Sequence, residues 1–264
     1  MIKLIASDID GTLLEEGTDK INPGIYEVIR QLKKKGILFA AASGRQYASM
    51  RCVFEPVADD MIFIAENGSN VMCRGRNMSC DYMEQEVAEE LLQYLRALKG
   101  CDIIVSTPET MYLETRTPEL CRKLEEDYHN EVSYTEDLLP LCRKTNKMAI
   151  YCPGMVEKYS GQLQERFGDR LNVMISGSVW IDFMNKTADK GRAMESIQKT
   201  MKISREETMA FGDNCNDVGM LLQAEESYAV ENAHPDLIRV AKHTAPAYYE
   251  DGVIKTIREV CLSD

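Results

Sequence analysis

Short apolar runs alternate with polar punctuation along the first third of the chain. Leu4-Ile5-Ala6 is the first run, and Ser7-Asp8-Ile9-Asp10-Gly11 follows it. An unbroken run of this length fits a strand buried on both faces of a parallel sheet. Ile25, Ile29 and Leu32 then recur at helical spacing. Asn22-Pro23 before them reads as an N-cap followed by proline at the first helical position, and Gly36 is the stop. A second run, Ile37 to Ala42, ends in Ser43-Gly44-Arg45, and a third, Ile62 to Ala65, ends in Glu66-Asn67-Gly68. Strand, helix, strand, helix, strand predicts a doubly wound parallel sheet. Ligands in such sheets bind beyond the carboxyl ends of the strands.

The pattern changes near Tyr82. Val87, Leu91, Leu95 and Leu98 form a helical stripe that ends at Gly100. Residues 102–106 and 111–114 read as a hairpin around Pro108. Residues 117–128 and 156–167 read as helices, and 147–152, 171–175 and 179–183 as strands. Ser176-Gly177-Ser178 joins the last two as a hairpin turn. Hairpin strands imply an antiparallel sheet covered by helices, an α+β domain inserted into the first. From Asp189 the first pattern returns. Lys190-Gly191 opens a helix carrying Ala193, Ile197 and Met201, and residues 208–211 read as a strand running into Gly212-Asp213-Asn214-Cys215-Asn216-Asp217. Tyr228 to Val230 reads as another strand, and residues 253–260 as a closing helix. Residues 1–82 and 187–264 are therefore expected to form one domain and 83–186 another.

A formal net charge of −12 argues against nucleic acid or an anionic membrane surface as partner. It also means that an anionic substrate needs local positive charge at its site. The nine cysteines are scattered, with no Cys-X-X-Cys and no zinc-like Cys/His spacing. Reduced thiols in a cytoplasmic protein are expected. Asp8 and Asp10 stand where a signal peptide needs its apolar segment, and no apolar run approaches the length of a membrane span.

Asp8 and Asp10 share one face in extended geometry, and two carboxylates that close repel unless a cation or a proton relieves them. By itself the pair fits a strand end with an Asp-Gly turn. The alternative is a Mg²⁺ site in which one carboxylate is also a nucleophile. Three further apolar strands end in polar groups: Ser43, Asn67, and Asp213 with Asp217. Carboxylates without His or Cys partners suit Mg²⁺. A hydroxyl or backbone amide, a lysine and Mg²⁺ together suit a phosphoryl group.

Asp8-Ile9-Asp10-Gly11-Thr12-Leu13, Ser43-Gly44-Arg45, Lys190-Gly191 and Gly212-Asp213-Asn214-Cys215-Asn216-Asp217 resemble the four ordered motifs of the haloacid dehalogenase-like superfamily. Their order and spacing, the inserted domain and Glu250-Asp251-Gly252-Val253 resemble its Cof-type phosphatases with a type IIB cap. The resemblance implies an α/β fold with a doubly wound parallel-sheet (Rossmann-like) core and an inserted α+β cap domain. It implies a phosphoric monoester hydrolase. Asp8 would be the nucleophile that forms an aspartyl-phosphate. Asp10 would be the acid and then the base, its backbone carbonyl also on Mg²⁺. Lys190 would offset charge on Asp8 and the transferred group. Ser43, the Gly44 amide and Asn216 would bind phosphate. Asp213 would hold Mg²⁺ directly, and Asp217 would do so through water or as a support. The cap would close over the phosphate and read the leaving group, with Arg143, Lys147 and residues near Ser178 as candidates. Trp180 reads as core, and His129, His234 and His243 fit no motif. The expected substrate is a small phosphorylated metabolite, sugar phosphates first. The expected state is a monomer or weak homodimer, with no nucleic acid and no membrane. A phosphomutase with the same core and a non-catalytic protein on this fold are the alternatives.

Overall fold

The structure, a computed structural model, describes residues 1–263. The chain divides into two compact units, residues 1–79 with 189 onward, and Cys80–Ala188. In chain order the first unit begins with β1 (Leu4–Asp8), α1 (Gly24–Lys34), β2 (Leu38–Ala42), α2 (Tyr47–Val53), β3 (Ile62–Ala65), β4 (Asn70–Cys73) and β5 (Arg76–Cys80). The second unit carries α3 (Gln85–Arg96), β6 (Asp102–Ser106), β7 (Met111–Leu113), α4 (Pro118–Arg122), β8 (Val132–Tyr134), β9 (Lys147–Tyr151), α5 (Val156–Phe167), β10 (Leu171–Ser176) and β11 (Trp180–Asn185). The chain then returns to the first unit with α6 (Lys190–Met201), β12 (Thr208–Gly212), α7 (Val218–Leu222), β13 (Glu226–Val230), α8 (Pro235–Val240), β14 (His243–Ala245) and α9 (Gly252–Ile257).

The first unit is built on one sheet in the order β14-β13-β12-β1-β2-β3-β4-β5, parallel from β14 to β3. β1 lies between β12 and β2, so the chain winds outward from it in both directions. That is the switch point of a doubly wound sheet, where a crevice opens beyond the strand ends. β1 and β12 are buried at every residue, which is why their sequences read as unbroken apolar runs. α1 buries Ile25, Val28, Ile29 and Leu32, and Gly36 beyond it takes φ +74°. The Asn22 side chain accepts from the Gly24 amide, so the helix begins one residue after the proline. β4 and β5, which the apolar pattern does not announce, extend the sheet; β4 runs antiparallel to β3. β5 lies at the sheet edge, and its Arg76 and Asn77 are exposed, so it lacks an apolar signature.

The second unit holds a six-stranded sheet, β10-β11-β9-β6-β7-β8. It is antiparallel except for the β7–β8 pair. Ile103, Val105, Met148, Ile150, Ile181 and Phe183 cluster with the buried stripes of α3 and α5. Alternation turns Ile104, Ala149 and Tyr151 to the other face, where they meet Leu120 and Leu124. The helix expected over 117–128 is α4 followed by a wider π-type turn to Asp127. No helix among the described residues is long and apolar enough to cross a membrane.

Candidate active site

The parallel register sets the site. Asp8 lies opposite Ala42, one residue before Ser43, and Ser7 lies opposite Phe211, one residue before Gly212. The ends of β1, β2 and β12 therefore deliver Asp8, Ser43 and the 212–217 loop to one rim. Lys190 arrives as the first residue of α6, whose N-cap Asp189 accepts from the Arg192 amide. Its approach depends on Gly191: a Cβ there would stand 2.4 and 2.5 Å from the backbone carbon and oxygen of Gly219 on α7.

Lys190 is 1% exposed. Its Nζ donates to Asp8 Oδ1 at 2.5 Å and to Asp217 Oδ1 at 2.7 Å. Burial alone would discharge the ammonium, but Asp217 and Asp8 outweigh it and hold the lysine above its ordinary range. The second Asp217 oxygen accepts the backbone N–H of Asp213 at 3.0 Å and of Asn214 at 3.1 Å. Both oxygens of Asp217 are thus engaged. Expected to reach the metal through water or to act as a support, it holds Lys190 and closes the loop that presents Asp213. Gly212 leaves room for this return, since a Cβ would come within 2.6 Å of the Asp217 side chain.

Carboxylate oxygens of Asp8, Asp213 and Asp217 lie within 4.8 Å of one another. Burial raises the Asp213 carboxyl to about 6, with Asp217 the next cause. Burial likewise raises Asp8, against the opposing pull of Lys190. Asp8 Oδ2 is buried and accepts no hydrogen bond. Three carboxylates facing one ammonium leave an excess of negative charge, with one buried oxygen unused. An all-oxygen donor set of that kind fits a hard divalent cation such as Mg²⁺. Asp8 and Asp213 are the residues positioned to hold it, and Thr12 Oγ1 donates to Asp213 Oδ1 at 3.3 Å.

Asp10 is paired with Arg45. The guanidinium donates from Nε to Oδ2 at 2.9 Å and from Nη2 to Oδ1 at 2.6 Å. Arg45 also pairs with Asp19 and donates to the Thr18 carbonyl, tying the 15–20 loop to Asp10. Ser43 Oγ donates to Asp10 Oδ2 at 3.3 Å and accepts the Arg45 amide at 3.1 Å. Asn216 Nδ2 donates to Asn67 Oδ1 at 3.1 Å. The Asn67 side chain also lies 3.3 Å from where a Cβ on Gly44 would be. The expected phosphate binders Ser43, Gly44 and Asn216 therefore form a contiguous rim, with Asn67 among them. Arg45 and Asn67 carry no role in the motif reading. Their signals were present, Arg45 as the last residue of its motif and Asn67 at a strand end. Asn67 also takes φ +55°, an uncommon left-handed conformation that is enriched at functional sites.

In the second unit, Lys147 Nζ pairs with Asp182 Oδ2 at 3.1 Å, and Ser176 Oγ donates to the same carboxyl oxygen at 3.0 Å. Arg143 and Ser178 are exposed. Trp180 packs on Tyr151 with ring centroids 5.0 Å apart.

The model of the haloacid dehalogenase-like hydrolase family matches residues 5–257. The 5-amino-6-(5-phospho-D-ribitylamino)uracil phosphatase of Escherichia coli is 27% identical over 260 residues, covering 98% of this chain and 96% of that protein. A phosphoglycolate phosphatase of Metallosphaera sedula is 26% identical over 261 residues, with 97% and 98% covered. A crystal structure from Eubacterium rectale superposes with a TM-score of 0.89 at 30% identity, over 98% of each chain.

Proposed function

The chain belongs to the haloacid dehalogenase-like hydrolase family as a Cof-type member, and from that premise we propose a Mg²⁺-dependent phosphatase that works through an aspartyl-phosphate on Asp8. It is a phosphoric monoester hydrolase acting on small phosphorylated compounds. Within that class we assign sugar and sugar-alcohol phosphates as first substrates. The Escherichia coli relative, named for a phosphoribityl compound, supports this choice. The observation that carries the reading is Lys190 bridging Asp8 and Asp217, with Asp8 Oδ2 left unpartnered beside Asp213. A carboxylate so placed is oriented by one oxygen and free to attack through the other.

Asp8 attacks phosphorus, and the leaving alkoxide departs with a proton from Asp10. Asp10 then takes a proton from the water that hydrolyses the acyl phosphate. Arg45 donates to both Asp10 oxygens, so Asp10 carries the proton only once its carboxyl turns from the guanidinium toward the leaving group. Lys190 offsets charge on Asp8 and on the transferred group. Ser43, the Gly44 amide and Asn216 orient the phosphoryl oxygens. Mg²⁺ held by Asp8, Asp213 and the Asp10 carbonyl would screen the nucleophile from a dianionic substrate. Reading of the leaving group is assigned to the second unit, residues 83–186 in the cap reading.

The test is phosphate release from a panel of phosphorylated sugars, sugar alcohols, nucleotides and cofactors, with Mg²⁺ or with chelator and without a bisphosphate activator. Mg²⁺-dependent turnover of several sugar phosphates, abolished in Asp8→Asn, is expected. Full activity in Asp8→Asn, or none on any ester, would overturn the reading.

A further inference from the structure

We propose that Cys215, His234 and Asp236 form a second cation site on the first unit, suited to a borderline-soft divalent ion such as Zn²⁺, whose occupant acts on the Asp213 segment. Cys215 lies inside the 212–217 loop and has no role in the phosphatase chemistry. It is exposed, as are His234 and Asp236. Its Sγ is 3.5 Å from His234 Nδ1, which is 3.7 Å from Asp236 Oδ2. The three donor atoms all fall within 4.8 Å of one another. Tetrahedral zinc with bonds of about 2.0–2.3 Å holds its ligands roughly 3.3–3.8 Å apart. Two of the three spacings already match, and exposed side chains can close the third. Water can fill the open position.

The donor types differ from those of the carboxylate cluster. Thiolate, imidazole and carboxylate together select a zinc-like ion, whereas Mg²⁺ takes oxygen. His234 Nδ1 accepts the Asp236 backbone N–H at 3.2 Å, so its lone pair is on the nitrogen that faces Cys215. A bound ion would take over that lone pair. Arg239 holds the other Asp236 oxygen at 2.5 Å, leaving Oδ2 for the ion and fixing the carboxylate's orientation.

The coupling is covalently short. The His234 backbone N–H donates to the Asp213 carbonyl at 2.7 Å, and Cys215 follows Asp213 by two residues. An ion that draws Cys215 and His234 together bears on Asp213 from both sides, and turnover should fall even when Mg²⁺ is saturating. That consequence rests on the phosphatase reading; the binding does not.

Cd²⁺, a zinc surrogate with a thiolate charge-transfer absorption, is titrated into the full chain in saturating Mg²⁺. One equivalent should produce the band. Cys215→Ser should remove it, and Asp236→Asn, an exposed substitution that spares the loop, should weaken binding by about tenfold or more. Absence of the band, its persistence in Cys215→Ser, or its loss on adding Mg²⁺ would overturn the site. Zn²⁺ inhibition in saturating Mg²⁺ should need at least about tenfold more Zn²⁺ in Cys215→Ser, relative to its own basal rate. Equal sensitivity would overturn the coupling. A chain with no turnover on any ester would refute the phosphatase reading, while the absorbance titration would still decide the site.

Discussion

Asp213→Asn should stabilise the metal-free protein and destabilise the metal-bound one. The Asp213 carboxyl stands at about 6 against an ordinary 3.8. A carboxyl raised on folding opposes folding once ionised. The penalty is absent below the ordinary value, grows as pH rises between about 4 and 6, and is complete above about 6. The elevation corresponds to about 3 kcal/mol. Because the group is partly exposed, solvent screening reduces this to roughly 1–2 kcal/mol. Asn keeps the shape and the acceptor for Thr12 but carries no charge. In chelator at pH 7 the variant should therefore melt about 2–6 °C higher than the parent. The gap should shrink as pH falls toward 4.5. Mg²⁺ at 100 times its dissociation constant adds about 2.7 kcal/mol to whichever protein binds it, so the order should reverse when Mg²⁺ replaces chelator. Calorimetry on both proteins, following the transition that Mg²⁺ shifts in the parent, reads all three effects. A variant less stable than the parent in chelator at pH 7, or one gaining as much from Mg²⁺, would refute the reasoning.

Asp10→Asn should slow the pre-steady-state burst on a sugar phosphate by about 10²–10⁴-fold and on nitrophenyl phosphate by much less, since nitrophenolate leaves without a proton. Equal losses on the two substrates would show that Asp10 is not the acid. Gly191→Ala should cost about 1–3 kcal/mol in denaturant unfolding and lower kcat by displacing Lys190. The predicted Cβ would meet Gly219 backbone rather than a side chain able to move. Unchanged stability and turnover would mean that α6 can shift without moving the lysine.

The buried parallel strands were legible because burial on both faces leaves an unbroken apolar run, as in Leu4 to Ala6 and Thr208 to Phe211. The edge strand β5 was not, because exposed residues such as Arg76 and Asn77 carry no such run. β14, His243–Ala245, is too short to leave a pattern. Among site residues, those assigned from motifs were Asp8, Asp10, Ser43, Gly44, Lys190, Asp213, Asn216 and Asp217. What spacing along the chain cannot convey is which oxygen faces which donor. The motif resemblance gives Asp213 and Asp217 different roles toward the metal but not the donors each one faces. In three dimensions one carboxyl stands raised and partly open, while the other spends both oxygens on Lys190 and on two amides. Arg45 stood in its motif, but its partners did not: Asp10 and Asp19 are distant in sequence and meet it only once β1 and β2 are side by side.

The same geometry addresses how a chain of net charge −12 would accept a phosphate dianion. Global charge works against the encounter, and the three clustered carboxylates work against it more strongly. Lys190 offsets part of that charge, but with its Nζ shared between Asp8 and Asp217 it cannot by itself balance three carboxylates and a dianion. Donors at the rim, Ser43 and Asn216, orient an anion but carry no charge. On the proposed reading the field comes from the cation, so metal binding should precede substrate binding and the protein without metal should reject phosphate esters altogether. The raised carboxyls of Asp8 and Asp213 then have a purpose: the first unit holds them at a cost to its own stability, and the cation relieves that cost where the substrate must dock.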